Sequence, residues 1–295
     1  MTKDLIAKYP WLKITTTLEK YIEPDYYDQI LKRYIFDGKS DLAFLEEFIN
    51  SQNFSHVLEI GPGTGRGTHV LMDSNKPISQ FTLVDQSERM LEFCKERFAE
   101  KSFIRYVRSD ALDFLLSDSE SYDFVFSLWS FSHSIHQNLK KFGVTAGEEK
   151  IRNGISKLLT ERMRLGGSFF FMHFDSLSDE QRISIKQRRR DDPVFQRSDL
   201  QSPSKLLLDK IFSELVSSGT MEFKCEHYIG KPLEFASPED ALEYYLNFHM
   251  ESHFNNINQI ENIITELLHD IESYRESDGV IRIKPGCFVY TVFKM

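Results

Sequence analysis

The residues with chemical potential gather in three stretches of the chain. The first is Val57-Leu-Glu-Ile-Gly-Pro-Gly-Thr-Gly-Arg-Gly67. Its apolar run, Val57, Leu58 and Ile60, reads as a buried parallel strand. Gly61, Gly63 and Gly65 then permit a sharp turn and let a ligand approach the backbone. A helix opening near Arg66 would aim free N–H groups at that ligand. The second stretch is Phe81-Thr-Leu-Val-Asp85, another apolar run ending in a carboxylate. Asp85 follows the glycine loop by about 20 residues, the distance at which an acid reaches the hydroxyls of a ribose. By itself Asp85 would serve equally as a helix-capping acid; beside the glycine loop, ligand binding is the stronger reading. The third stretch is the pair of later strand ends that carry His133 and His136, and His173 and Asp175, groups able to accept a proton. A nucleoside-like ligand held beside a reaction centre is the chemistry these residues suit.

The elements that must position them alternate between strand and helix. After Asp85, Ser87 is a plausible N-cap for a helix reaching Phe98. Phe103–Arg108 alternates as a third strand, Tyr122–Leu128 is strongly apolar and therefore central, and Gly166-Gly167 breaks a helix ahead of a fifth strand, Ser168–Phe174. Met221–Tyr228 and Cys287–Phe293 are the last two strands. Such alternation predicts a parallel sheet with helices on both faces, its ligands beyond the carboxyl ends of the strands. A dinucleotide fingerprint would place its third glycine where Arg66 stands, which disfavours a dinucleotide oxidoreductase.

Glu59-x-Gly61-x-Gly63-x-Gly65, Val84-Asp85 with Met90, and Tyr122-Asp-Phe-Val125 resemble the motifs of S-adenosylmethionine-dependent methyltransferases with a Rossmann-like (class I) fold, of the type acting on small molecules. The resemblance covers roughly residues 50–175 and the final strand. It implies an α/β fold with a seven-stranded, mostly parallel sheet whose last two strands form an antiparallel hairpin. It implies S-adenosylmethionine as cofactor, with S-adenosylhomocysteine as product. It assigns Glu59, Gly61, Gly63, Gly65, Asp85, Gln86, Met90, Asp110, Ala111 and Ser127 to the cofactor: Met90 against the adenine, Asp110 near its amino group, the Ala111 N–H beside it, and Tyr27 at the methionine end. The methyl group is already activated, so transfer needs chiefly alignment and exclusion of water. A base is needed only where the acceptor must first lose a proton, and His133, His173 and Asp175 are the catalytic candidates. His133 alternatively bonds only its own loop, and Asp175 alternatively caps a helix near Leu177.

Three further segments flank this core. Residues 1–50 read as a helical cover. Residues 51–230 with 287–295 form the core, and 231–286 a helical lid inserted between the last two strands, with helices near Pro238–Met250 and Asn256–Tyr274. From Leu233 to Asp278 there are eleven acids, and Arg275 is the one base. That is a net of ten negative charges, against about +1 for the remainder of a chain whose total is −9. Tyr244, Tyr245, Phe248 and Phe254 sit among these acids. Carboxylates with aromatic faces suit an ammonium or guanidinium. Glu239, Glu243, Tyr244 and Glu251 are therefore expected to reach an amine or guanidine acceptor, with Trp129 and His136 also in the substrate site; the alternative is a solvated acidic face.

Other classes fit less well. The acidic balance and the lack of a basic stripe with interleaved aromatics argue against nucleic acid. No apolar run is long enough to span a membrane, and Met-Thr-Lys-Asp does not open a signal peptide. Cys94, Cys225 and Cys287 fit neither a disulfide framework nor a metal spacing, so a cytoplasmic setting is expected. His133 and His136 have no third or fourth metal ligand beside them, and no metal is expected. The expected function is methyl transfer to a small-molecule or short peptide-derived acceptor. The alternatives are a protein or RNA methyltransferase and a non-catalytic cofactor-binding module.

Overall fold

The structure is a computed structural model that describes residues 7–9, 24–192, 194, 201–217, 219–249 and 260–295. The order of elements is α1 (Pro24–Leu31), α2 (Asp41–Asn50), β1 (His56–Ile60), α3 (Arg66–Asp73), β2 (Gln80–Asp85), α4 (Glu88–Arg97), β3 (Ile104–Arg108), α5 (Ala111–Ser117), β4 (Tyr122–Leu128), α6 (Phe131–Lys157), β5 (Met163–Phe174), α7 (Asp179–Asp191), α8 (Pro203–Val216), β6 (Met221–Ile229), β7 (Leu233–Phe235), α9 (Pro238–Tyr244), α10 (Ile260–Glu272), β8 (Ile281–Ile283) and β9 (Gly286–Lys294). Seven strands form one sheet in the order β3-β2-β1-β4-β5-β9-β6. β1 to β5 are parallel, and β9 runs antiparallel to both β5 and β6. The order reverses at β1, with β2 on one side and β4 on the other. A crevice for a ligand opens at such a switch point.

Strand alternation sorts the apolar side chains onto the two faces of the sheet. Val57, Phe124, Phe126, Phe170 and Met172 join one buried cluster with α1, α2, α9 and α10. Leu58, Ile60, Val125, Phe169 and Phe171 join the other, with α5, α6 and α8. Both faces are thus covered, which is why the central strands read as continuous apolar runs.

The elements differ from the sequence expectation where backbone conformation matters most. α6 continues past Gly143, whose φ of 78° kinks it, and ends in a π-turn at Leu158–Arg162. Gly166 and Gly167 do not end a helix but lie inside β5, beside a register shift against β4. β7 and β8 form a separate two-stranded sheet between β6 and β9. The helix from Pro238 changes to a π-turn at Tyr245–His249. The expected start of the following helix, residues 256–259, lies outside the described residues, as do Glu251 and Phe254.

One buried carboxylate joins the N-terminal helices to the sheet. Asp41, in the first turn of α2, is fully buried. It accepts both Arg66 Nη1 and Arg66 Nη2 at 2.8 Å, Trp129 Nε1 at 2.9 Å, and the Leu42 N–H at 2.9 Å. A second link, Thr64 Oγ1 to Asp28 Oδ1 at 2.6 Å, ties α1 to the glycine loop. Removing one partner of a buried pair leaves the other charged and unsatisfied. Asp41→Ala should therefore destabilise the protein by about 3–5 kcal/mol in chemical denaturation, and the double variant Asp41→Ala with Arg66→Met by clearly less.

Candidate active site

The loop between β1 and α3 is held open by backbone conformation. Gly61, Gly63 and Gly65 all have positive φ, at 69°, 54° and 79°. A Cβ on Gly61 would lie 1.8 Å from Ser130 Oγ, so this turn admits only glycine. The Gly61 N–H bonds Val84 O at 2.8 Å and the Gly63 N–H points at Asp85 Oδ2 at 3.4 Å, joining the loop to the tip of β2. The space beyond Gly63 is open, since a Cβ there meets nothing within 4 Å. Gly67 gives close helix packing: its Cβ would fall 2.7 Å from both Glu59 Oε1 and Phe126.

The loop borders a cavity of about 900 Å³. At one end lie Gly61, Gly63, Asp85, Gln86, Met90, Asp110 and Ala111, with Glu59 beneath and Tyr27 and Leu31 above. Asp85 Oδ1 accepts the Ser87 N–H at 2.8 Å, and the N–H bonds from Ser87, Gly63 and Gln86 partly offset the burial that raises its carboxyl above the usual range. Asp85 itself borders the cavity. Glu59 is 2% exposed, and burial pushes its carboxyl up to about 8, with the Thr68 hydroxyl bond opposing. Apolar walls at Met90 and Ala111, an acid at the β2 tip and a buried acid under the loop fit a nucleoside carrying a cationic tail.

The other end is lined by Trp129, His133, His136, Lys140, His173, Phe174, Gln181, Ile185, Arg188, Asp192, Ser204, Phe248 and His249. Trp129 closes β4 with a φ of 67°, a conformation rare for a large residue, and stacks on Phe174 at 4.4 Å. His133 is exposed to the cavity yet deep within the protein. Desolvation, then Arg188 and the neighbouring imidazoles, hold its ring below the usual range and neutral at physiological pH. His136 Nε2 pairs with Asp192 Oδ2 at 2.8 Å. Burial would raise Asp192, but the His136 bond and charge, the Val194 N–H and Lys140 together hold it down to about 2.

Several sequence expectations are corrected by these placements. Ser127 does not line the cavity: its buried hydroxyl donates to Ile60 O at 2.7 Å and accepts the Phe131 N–H, locking the β4 tip to β1. Asp110 borders the cavity, but its carboxylate caps α5 through the Leu112 and Asp113 N–H groups and is held by Ser134 and Asn138. His173 has both ring nitrogens engaged, with Phe174 O at 2.6 Å and Ser204 Oγ at 3.0 Å. Asp175 faces away from the cavity and joins the Leu177 N–H, Gln201 and His227. It holds the turn ahead of α7, whose N-cap is Ser178, so it does not cap that helix either. Glu243 and Tyr244 also lie off the cavity; the same segment presents Phe248 and His249 instead.

The acidic stretch is spent on the protein itself. Asp270 pairs with Lys186 at 2.7 Å, Glu266 with Arg190 and Gln187, and Glu234, Glu276 and Asp278 with Arg282. Glu239 and Asp240 are exposed in the first turn of α9. Pairs that join elements distant in sequence leave no periodicity along the chain, so the partners of these acids were not legible there. Glu180 and His249 went unnoticed for the same reason, and the run Arg188-Arg-Arg-Asp-Asp192 reads in the sequence as a solvated charged face.

Two measurements test the cofactor end. Asp85→Ala should weaken S-adenosylmethionine binding by tenfold or more in calorimetry with unfolding unchanged, since a charge-assisted pair is worth about 1.5–3 kcal/mol. Unaltered affinity refutes the assignment. Glu59 is protonated more readily when folded than when unfolded. Its contribution is thus complete below its ordinary value of 4.5 and is lost as pH rises through about 8. The Tm of the ligand-free protein should fall across that window, and Glu59→Gln should flatten the fall.

Residues 58–143 match the family model for the methyltransferase domain. No curated protein sequence matches the chain. Among solved structures, YcgJ of Bacillus subtilis is 16% identical, with 86% of this chain and 97% of that one covered and a TM-score of 0.52. The putative methyltransferase BH2331 of Bacillus halodurans C-125 is 17% identical, with 86% and 98% covered and a TM-score of 0.50. These likenesses show a shared fold. The matched segment spans the glycine loop, the Asp85 tip and the histidines that open α6, all within that fold, so the chain carries a methyltransferase domain on a Rossmann-like fold.

Proposed function

We propose that the enzyme methylates a small molecule that enters the cavity whole, and that the acceptor end suits a neutral or anionic group bearing an ionisable proton. The observation that carries this is the lining. His133, His136, His173, His249, Arg188 and Lys140 converge there, and Asp192, the acid among them, is already paired with His136 and Lys140. A free ammonium entering this end would meet like charge. Binding sites for single small ligands run to roughly 300–1,000 Å³, so a cavity of about 900 Å³ lies at the upper limit and suits a cofactor with a compact acceptor. The surface of a folded protein or an RNA duplex would not enter it.

We read residues 1–50 as a cover and 231–286 as a lid on the same grounds. Tyr27 and Leu31 from the first and Phe248 and His249 from the second border the cavity. Their role is to exclude water while the acceptor lone pair attacks the methyl carbon and the bond from that carbon to sulfur breaks. The amine or guanidine acceptor suggested by the acidic stretch keeps one specific support, the ionised Asp192 at the cavity wall.

The test is a panel of phenols, carboxylic acids, azoles, amines and guanidines, followed by mass shift of one methyl group. Phenols, acids or azoles should be favoured, with a specificity constant that falls as salt rises for anionic acceptors. Preference for ammonium compounds would overturn the electrostatic reading, and turnover confined to protein or RNA would overturn the small-molecule one. Hydrogen exchange in residues 27–35 and 238–249 should slow when S-adenosylhomocysteine binds; protection limited to residues 57–67 would remove the cover and lid.

A further inference from the structure

Where the N-terminal helices, α7 and the segment after α9 meet, a fully buried carboxylate holds an imidazole at the cavity wall. Glu180 lies in the first turn of α7, behind the N-cap Ser178, where the helix dipole favours negative charge. Its Oε1 accepts the hydroxyls of Tyr34 and Tyr244 and faces His249 Nε2 at 2.9 Å. Burial and the Glu180 charge keep both tyrosine hydroxyls well above their usual range, hence protonated donors. Tyr245 donates to the Glu180 carbonyl at 3.2 Å, and Arg188 Nη2 donates to the His249 carbonyl at 2.6 Å. His249 ends the π-turn Tyr245–His249, a distortion that often marks functional positions. Its ring packs edge-on against Phe248 at 4.6 Å and against Phe174 at 6.0 Å, and Phe174 is the ring stacked on Trp129 at the β4 tip.

We propose that His249, oriented by Glu180, is the base that takes the acceptor's proton during methyl transfer. A carboxylate accepting from Nε2–H fixes the tautomer with the lone pair on Nδ1. Because His249 borders the cavity, that lone pair is the one offered to an acceptor beside Trp129 and Phe174. His173 cannot do this with both nitrogens engaged. In the step, the acceptor X–H bond breaks and its proton passes to Nδ1. The X lone pair forms the bond to the methyl carbon, the carbon–sulfur bond breaks, and S-adenosylhomocysteine leaves. The resulting imidazolium is paired with Glu180. The inference rests on the small-molecule reading only for the identity of X–H.

The titratable and charged groups facing His249 are Glu180, Tyr244, Tyr245, Arg188 and His133, with Tyr34 behind Glu180. The decisive measurement is imidazole ¹⁵N NMR of the protein bound to S-adenosylhomocysteine, the His249 signals being assigned by their loss in His249→Gln. The expected result is Nε2 protonated and Nδ1 bare; an Nδ1-protonated ring overturns the proposal whatever the acceptor. For an acceptor turned over in the panel, His249→Gln and Glu180→Gln should each lower kcat about a hundredfold and remove the acidic limb of the kcat–pH profile, with the KM for S-adenosylmethionine unchanged. The loss should shrink for an acceptor already ionised at assay pH. An equal loss on ionised and protonated acceptors would assign the pair a structural role and overturn the proposal. An Nε2-protonated ring with no turnover across the panel counts against the acceptor class and leaves the base in place.

Discussion

The Asp41 carboxylate is the constraint on which the site depends. It neutralises Arg66, the first residue of α3, and holds the indole of Trp129, the first residue past β4. One group thus fixes the glycine-loop helix, the strand tip on the far side of the switch point, and the helix that brings the N-terminal segment over both. Its ionic partner is only 10% exposed, so the pair is worth most as an obligation: neither charge can be left alone without a cost of several kcal/mol. Trp129 holds a left-handed backbone conformation costing of order 1–3 kcal/mol, which persists because the Asp41 bond and the Phe174 stack over-determine it.

Charge is divided between the two halves of the molecule in a way the overall balance hides. The acidic segment between β6 and β9 meets the basic end of α7 through Asp270–Lys186 and Glu266–Arg190. That contact holds the segment over the sheet and leaves the cavity wall to imidazoles. The Glu180 network lies at the same junction and joins residues separated by more than two hundred positions, Tyr34 and Tyr244 among them. Buried, hydrogen-bonded polar clusters of this kind fix relative position more sharply than apolar packing does, because hydrogen bonds are directional and an unmade one is costly in the interior.

By itself the sequence determined the sheet and the turn of the glycine loop. Gly61, Gly63 and Gly65 are needed for local backbone reasons, Asp85 ends a strand whose apolar run is continuous, and both signals are read over a few neighbouring residues. Asp175, Ser127 and Asp110 had the residue types a site needs, yet each is occupied by neighbours in folding. A polar side chain near a strand end satisfies the backbone as readily as a ligand, and only position distinguishes the two. The far end of the cavity was decided by tertiary structure alone. Glu243 and His249 lie six positions apart on one segment, and which of them reaches the cavity turns on a π-turn that shifts the helical phase between them. The paired acids of α10 found their bases on α7, a partner about 80 residues away in sequence. Periodicity reports which face of an element is buried; it carries no information about what that face is buried against, and the far wall of the cavity is built from such long-range pairings.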